Sequence, residues 1–261
     1  MRTAARRLAA ATALATALLA LTACGPDAED DAGNTLTVFA AASLTNAFNA
    51  LADQFEAEHE AERPGVGIVL NFGGSSALAA QITEGAPGDV FAAADEATMA
   101  AAVDAGAADD PEVFALNQLV IAVPEGNPDG VTGLQDLAGR SVAACAEAVP
   151  CGSAAQTAIA ASGTPIAPST YEPDVKATLA KLALGEVDAA LVYRTDVIAA
   201  RDAVDAVEFP EAASARNAYP ITVLHEAANP DLAAAFIAYV QSDAGQAVLE
   251  TAGFQAPDGD R

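Results

Sequence analysis

Three times between residues 35 and 106 the chain sets a short apolar run ahead of a turn and a helical stripe. This alternation restricts it to an α/β fold with a mostly parallel sheet flanked by helices. Leu36-Thr37-Val38-Phe39-Ala40 reads as a buried strand, and Ser43 as the cap of a helix with apolar positions at Leu44, Phe48, Leu51 and Phe55. Val66 to Phe72 reads as a second strand, and Gly73-Gly74-Ser75-Ser76 turns it into a helix carrying Leu78 and Ile82. Asp89 to Ala92 is a third strand, after which Asp95 caps a helix that stops at Gly106.

A second set of units follows. Leu116 to Val123 reads as one strongly apolar strand closed by Pro124. Val142 to Cys145 is a strand, Ser153 to Ser162 a helix closed by Gly163, and Val175, Leu179 and Leu182 stripe another helix. Ala189 to Tyr193 is a further buried strand. After Phe209-Pro210 the chain is expected to return to the first lobe with a strand at Ile221 to Leu224 and helices over 230–242 and 243–252. The expected lobes are therefore 35–115 with 212–261, and 116–211.

Composition narrows the function. With 52% hydrophobic residues in 261, the chain can bury a sizeable core and is not a disordered tail. Its 36 acidic and 11 basic side chains give a formal charge of −25. That excludes a nucleic-acid partner, because phosphate binding needs clustered Lys and Arg. It also argues against electrostatic docking on anionic lipid. Two His, and two Cys beyond the leader, leave little for a zinc site, and no cofactor is expected.

Residues 1–23 read as a removable leader. Arg2, Arg6 and Arg7 precede an apolar stretch from Leu8 to Leu21. Leu21-Thr22-Ala23-Cys24 resembles a bacterial lipobox, which implies cleavage before Cys24 and lipidation of its sulfur. Residues 24–34 then form an acidic, self-repelling tether. Removal of the leader takes away three Arg and no acid, and moves the formal charge from −25 to −28. The expected protein is exported, held at the outer face of the cytoplasmic membrane by its lipid alone, and sits where disulfides persist.

Four strand-to-helix turns stand out: Ala41-Ala42-Ser43, Gly73-Gly74-Ser75-Ser76, Pro150-Cys151-Gly152-Ser153 and Pro173-Asp174-Val175. Each helix N-terminus carries unpaired N–H groups and about half a positive charge. Several meeting in one crevice would bind an anion without Lys or Arg. A Ser at one such turn is most simply a cap, and Lys176 and Arg194 are most simply exposed charges.

The same residues resemble a known family, the periplasmic molybdate-binding proteins of ABC transporters. Val38-Phe39-Ala40-Ala41-Ala42-Ser43-Leu44-Thr45-Asn46-Ala47 is similar to their first strand–helix motif. Phe72-Gly73-Gly74-Ser75-Ser76-Ala77-Leu78-Ala79, with Gly85-Ala86-Pro87-Gly88-Asp89-Val90-Phe91 behind it, is similar to the second. Val149-Pro150-Cys151-Gly152, Asp174-Val175-Lys176 and Val192-Tyr193-Arg194-Thr195-Asp196 follow in the family's order.

The resemblance implies a two-lobed periplasmic-binding-protein fold of type II that closes over molybdate or tungstate in the cleft between lobes and delivers it to the permease subunits of an ABC importer. Carried over by position, Ser43 and Ser75 each supply hydroxyl and backbone N–H donors, Cys151 and Val175 backbone N–H donors, and Tyr193 its phenol. Cys151 stands where the family commonly has Ala, although only its N–H is needed. A monomer is expected.

Donor-only chemistry also suggests selectivity. Molybdate, tungstate and sulfate carry no proton at neutral pH, whereas monohydrogen phosphate carries one that such a site leaves unpaired. Sulfate differs only in size. Cys145 and Cys151, with five residues between them in an oxidising compartment, are expected to form a disulfide that pins the loop presenting the Cys151 N–H; two buried thiols are the alternative.

Two rival classes remain. One is a binder of a different ligand, such as sulfate or phosphate. The other is a secreted Ser or thiol enzyme. The latter is disfavoured: His59 lies in a charged helix end, His225 follows a strand, there is no G-x-S-x-G elbow, and the cysteines are not spaced C-x-x-C.

Overall fold

The structure is a computed structural model and describes residues 34–257. The leader, Cys24 and all of the tether before Asn34 lie outside the described residues. Two five-stranded sheets organise the chain. The first has the order β2-β1-β3-β10-β4, from β1 (Thr35–Ala41), β2 (Gly67–Gly73), β3 (Val90–Ala92), β4 (Glu112–Asn117) and β10 (Asn217–Val223). The second has the order β7-β6-β8-β5-β9, from β5 (Leu119–Pro124), β6 (Val142–Cys145), β7 (Thr170–Glu172), β8 (Ala189–Tyr193) and β9 (Val204–Val207).

The two sheets share one plan. β1, β2 and β3 are parallel, and β10 runs against both β3 and β4. Likewise β6, β7 and β8 are parallel, and β5 runs against both β8 and β9. In each sheet four strands therefore point one way and one is reversed. Helices α1 (Thr45–His59), α2 (Ser75–Thr83), α3 (Glu96–Asp104), α7 (Pro230–Gln241) and α8 (Asp243–Thr251) serve the first sheet. Helices α4 (Pro150–Ser162), α5 (Val175–Ala183) and α6 (Arg194–Ala199) serve the second.

The periodic stripes bury as expected: Phe48, Leu51 and Phe55 pack with Phe114 and Phe236, and the rings of Phe55 and Phe236 meet edge-on at 5.4 Å. Asp95 caps α3 by accepting from the Thr98 N–H, and Gly163 closes α4 in the left-handed conformation. Three local expectations change. Leu116–Val123 is not one strand: β4 ends at Asn117, β5 starts at Leu119, and the chain passes from one sheet to the other at Gln118. Ser43 caps nothing, since a 3-10 turn over Ala42–Leu44 leads into α1 with Leu44 at the cap position. Helix α4 begins at Pro150, not Ser153, which puts Cys151 and Gly152 in its first turn.

Candidate functional site

Five strands deliver their carboxyl ends to one point between the sheets, where open α/β sheets place their ligands. β1 hands over to the turn containing Ser43, and β2 to the start of α2 at Ser75. β6 hands over through residues 146–149 to α4 and Cys151. β7 passes through Asp174, which caps α5 by accepting from the Ala177 N–H, to Val175. β8 ends at Tyr193.

These five residues, all predicted as donors, line one cavity of about 20 Å³ with Ala41, Ala42, Gly73, Gly74, Ala94, Val149, Pro150 and Asp174. The space suits a single small ion or a water or two. All five residues are at most 5% exposed. Among the described residues no Lys or Arg lines the cavity; its only charged side chain is Asp174, which is occupied as a cap. The first turns of α2, α4 and α5 face it, so backbone N–H groups and dipole ends supply the positive potential.

The hydroxyls are oriented by their partners. Ser75 Oγ accepts from the Ala94 N–H at 3.0 Å, which leaves its proton free to be donated. Ser43 Oγ lies 2.9 Å from the Tyr219 hydroxyl, and Asn117 Nδ2 donates to that hydroxyl at 3.4 Å and to Thr195 Oγ1 at 2.9 Å. The Asn117 amide is fixed because its oxygen accepts from the Gln118 N–H. Either hydroxyl can donate in the Ser43–Tyr219 contact, and when Tyr219 is the donor the Ser43 proton also turns to the cavity. The Tyr193 hydroxyl is buried, beside that of Tyr219, and makes no hydrogen bond of good geometry. Burial first, and the neighbouring Tyr219 next, push its pKa well above the ordinary value, so at neutral pH it is a donor.

The lobes touch around this point. Ser76 Oγ of α2 donates to the Ala148 carbonyl at 2.8 Å. Gly74 is so close to the Pro173 carbonyl that a Cβ would lie 2.5 Å from its oxygen. The disulfide Cys145–Cys151 is formed and ties the end of β6 to the first turn of α4. Next to it Gly152 packs where a Cβ would collide with the Ala146 carbonyl.

Other candidate residues lie elsewhere. Arg194 pairs twice with Glu208, at 2.8 and 2.9 Å. His59 stacks on Phe55, and His225 pairs with Asp109 at 2.9 Å; neither lines the cavity. Among the described residues there is no group of three or more His, Cys, Asp or Glu able to hold a metal ion, and no helix long and apolar enough to cross a membrane. Tyr219 and Asn117 escaped the sequence reading. Pro220 disguises the start of β10, where the register shifts between Tyr219 and Pro220; the alternation Tyr219, Ile221, Val223 was the available signal.

Two lobes of one plan with a small, donor-lined cavity between them define a solute-binding protein. The chain belongs to the bacterial extracellular solute-binding proteins, the family whose model matches residues 36–255. It is 40% identical over 264 residues to the molybdate-binding protein ModA of Mycobacterium tuberculosis, covering 97% of this chain and 100% of that one. Its fold is similar to that of the periplasmic molybdate-binding protein of Azotobacter vinelandii, with a TM-score of 0.73, 23% identity, and coverage of 85% and 100%. It is also similar in fold to the sulfate-binding protein SubI of Mycobacterium tuberculosis, with a TM-score of 0.76, 19% identity, and coverage of 86% and 88%.

Proposed function

We propose that this protein captures molybdate, and tungstate with it, in the cleft between its lobes and passes the ion to the permease of an ABC importer. The observation that carries this reading is the buried Tyr193 hydroxyl, which makes no hydrogen bond of good geometry within the protein and borders a cavity with the Ser43 and Ser75 hydroxyls and three helix first turns. A dianion would satisfy that hydroxyl, and no cation is needed if enough neutral donors converge. Ser43, Ser75 and Tyr193 would donate from side chains, and Cys151 and Val175 from backbone N–H groups. The 40% identity to a molybdate-binding protein along the full chain supports the same choice of ion. The reading includes no cofactor and no catalysis, a monomer in solution, and attachment to the membrane only through lipid on Cys24.

Calorimetry of the protein against molybdate, tungstate, sulfate and hydrogen phosphate tests this. Molybdate and tungstate should bind tightly, sulfate weakly, and phosphate least. Tyr193→Phe should lose a hydrogen bond to a charged group, roughly 1.5–3 kcal/mol, or about tenfold to over a hundredfold in affinity. Sulfate binding as tight as molybdate would replace the reading with a sulfate carrier, the alternative that the fold likeness to SubI keeps open.

A further inference from the structure

Lys176 follows Val175 in the first turn of α5, next in sequence to a residue of the cavity wall, yet it does not line the cavity. Its ammonium lies instead 3.1 Å from Oδ1 of Asp196, a residue of α6 with a fully buried side chain. Neither carboxylate oxygen has a hydrogen bond of good geometry, so the ammonium is the group that compensates this charge. Asp196 comes three residues after Tyr193. The titratable groups that sense it or that it senses are Lys176, Asp174, Tyr193 and Tyr219. Tyr193 and Tyr219 are the two phenols at the cavity and behind it. A bare carboxylate here would project a negative field onto any anion held by Tyr193.

We propose that Lys176 serves anion binding indirectly: it neutralises Asp196 and keeps the cavity from being repulsive to its guest. Lys176 is thus a positioning residue that works through Asp196, not a ligand. The pair also explains how a cleft carries a buried acid close to an anion site. Paired with the acid and absent from the cavity wall, the ammonium removes repulsion without adding a direct contact that would hold the ion against release. This rests on the oxyanion reading above.

The test is a charge-rescue cycle read by molybdate calorimetry at pH 8, with thermal melts to establish folding. Lys176→Gln should weaken binding about tenfold or more, because the carboxylate is left uncompensated in a low-dielectric site. Asp196→Asn should keep affinity within about threefold of the parent, or raise it. The double variant K176Q/D196N should recover to within about threefold, which a purely mechanical brace between α5 and α6 would not do. Parental affinity in K176Q overturns the proposal, as does a tenfold loss in D196N or in the double variant. Should K176Q fail to fold, D196N and the double variant carry the test by themselves. If the unaltered protein binds no oxyanion at all, it is the proposed function that fails.

Discussion

The Ser43 hydroxyl oxygen sits 2.9 Å from the hydroxyl of Tyr219, a residue 176 positions away on the reversed strand of the same sheet. This contact, and not a helix cap, is what orients the Ser43 hydroxyl. Burial leads the causes that push the Tyr219 hydroxyl above its usual pKa, so it keeps its proton across the working pH range. Ser75 reaches the same state by a different route, through the Ala94 N–H.

Removing the Tyr219 hydroxyl should therefore weaken anion binding without touching the cavity wall. Tyr219→Phe is expected to lose about 0.5–1.5 kcal/mol, up to about tenfold in affinity, because Ser43 loses its orienting partner. Calorimetry with molybdate measures this. An affinity equal to that of the parent would mean that Ser43 orients itself.

Gly74 should control closure. A methyl group there meets the Pro173 carbonyl of the opposite lobe at 2.5 Å, with backbone on both sides and little that can yield. Gly74→Ala should cost on the order of 1–3 kcal/mol in the closed state only, with thermal stability of the unliganded protein nearly unchanged. Small-angle scattering in saturating molybdate should give a larger radius of gyration for the variant than for the parent. Equal radii and equal affinity would refute the assignment.

The Cys145–Cys151 bond closes a short loop, so its entropic contribution to stability is small, about 2 kcal/mol. Its larger effect should be on the site, since it anchors the first turn of α4 that presents the Cys151 N–H. Replacing both cysteines by Ser should lower the melting temperature by several degrees and weaken molybdate binding more than the loss of stability alone explains. Comparison of affinities at a temperature where both proteins are fully folded separates the two effects.

Asp196 should leave a signature in the pH dependence of stability. Burial raises its pKa from 3.8 to about 6, with Lys176 opposing the shift. A raised carboxyl pKa means that the native state binds more protons than the unfolded chain between these values. Its contribution to stability is then greatest at low pH and falls as pH rises through the window from 3.8 to about 6, by on the order of 3 kcal/mol in total. Denaturant unfolding of the parent and of Asp196→Asn at pH 4 and pH 7 should show a difference between them that grows with pH in favour of the variant. A constant difference would mean that the carboxyl is not perturbed.

Much of the site is legible in local sequence. Gly73-Gly74-Ser75, Pro150-Cys151-Gly152 and Pro173-Asp174-Val175 each announce a helix start, because glycine, proline at the first helical position and an Asp cap act within a few residues. Tyr193 is legible as the last residue of an unbroken apolar run. The split at Gln118 was hidden because β4 and β5 are both apolar, and periodicity does not record which sheet a strand joins. The same limit hid β9, whose alternation Val204, Ala206 is too short to stand out.

Sequence alone determined the alternating strands and helices, the acidic balance, and the places where helix N-termini could receive an anion, since these follow from interactions spanning one or two turns of chain. Tertiary structure decided that those four turns and Tyr193 meet around one cavity, that Ser43 answers to Tyr219 and not to its own helix, and that Lys176 spends its charge on Asp196. Those outcomes depend on how helices and strands pack in space, and partners such as Ser43 and Tyr219, 176 positions apart, leave no periodic trace in the chain.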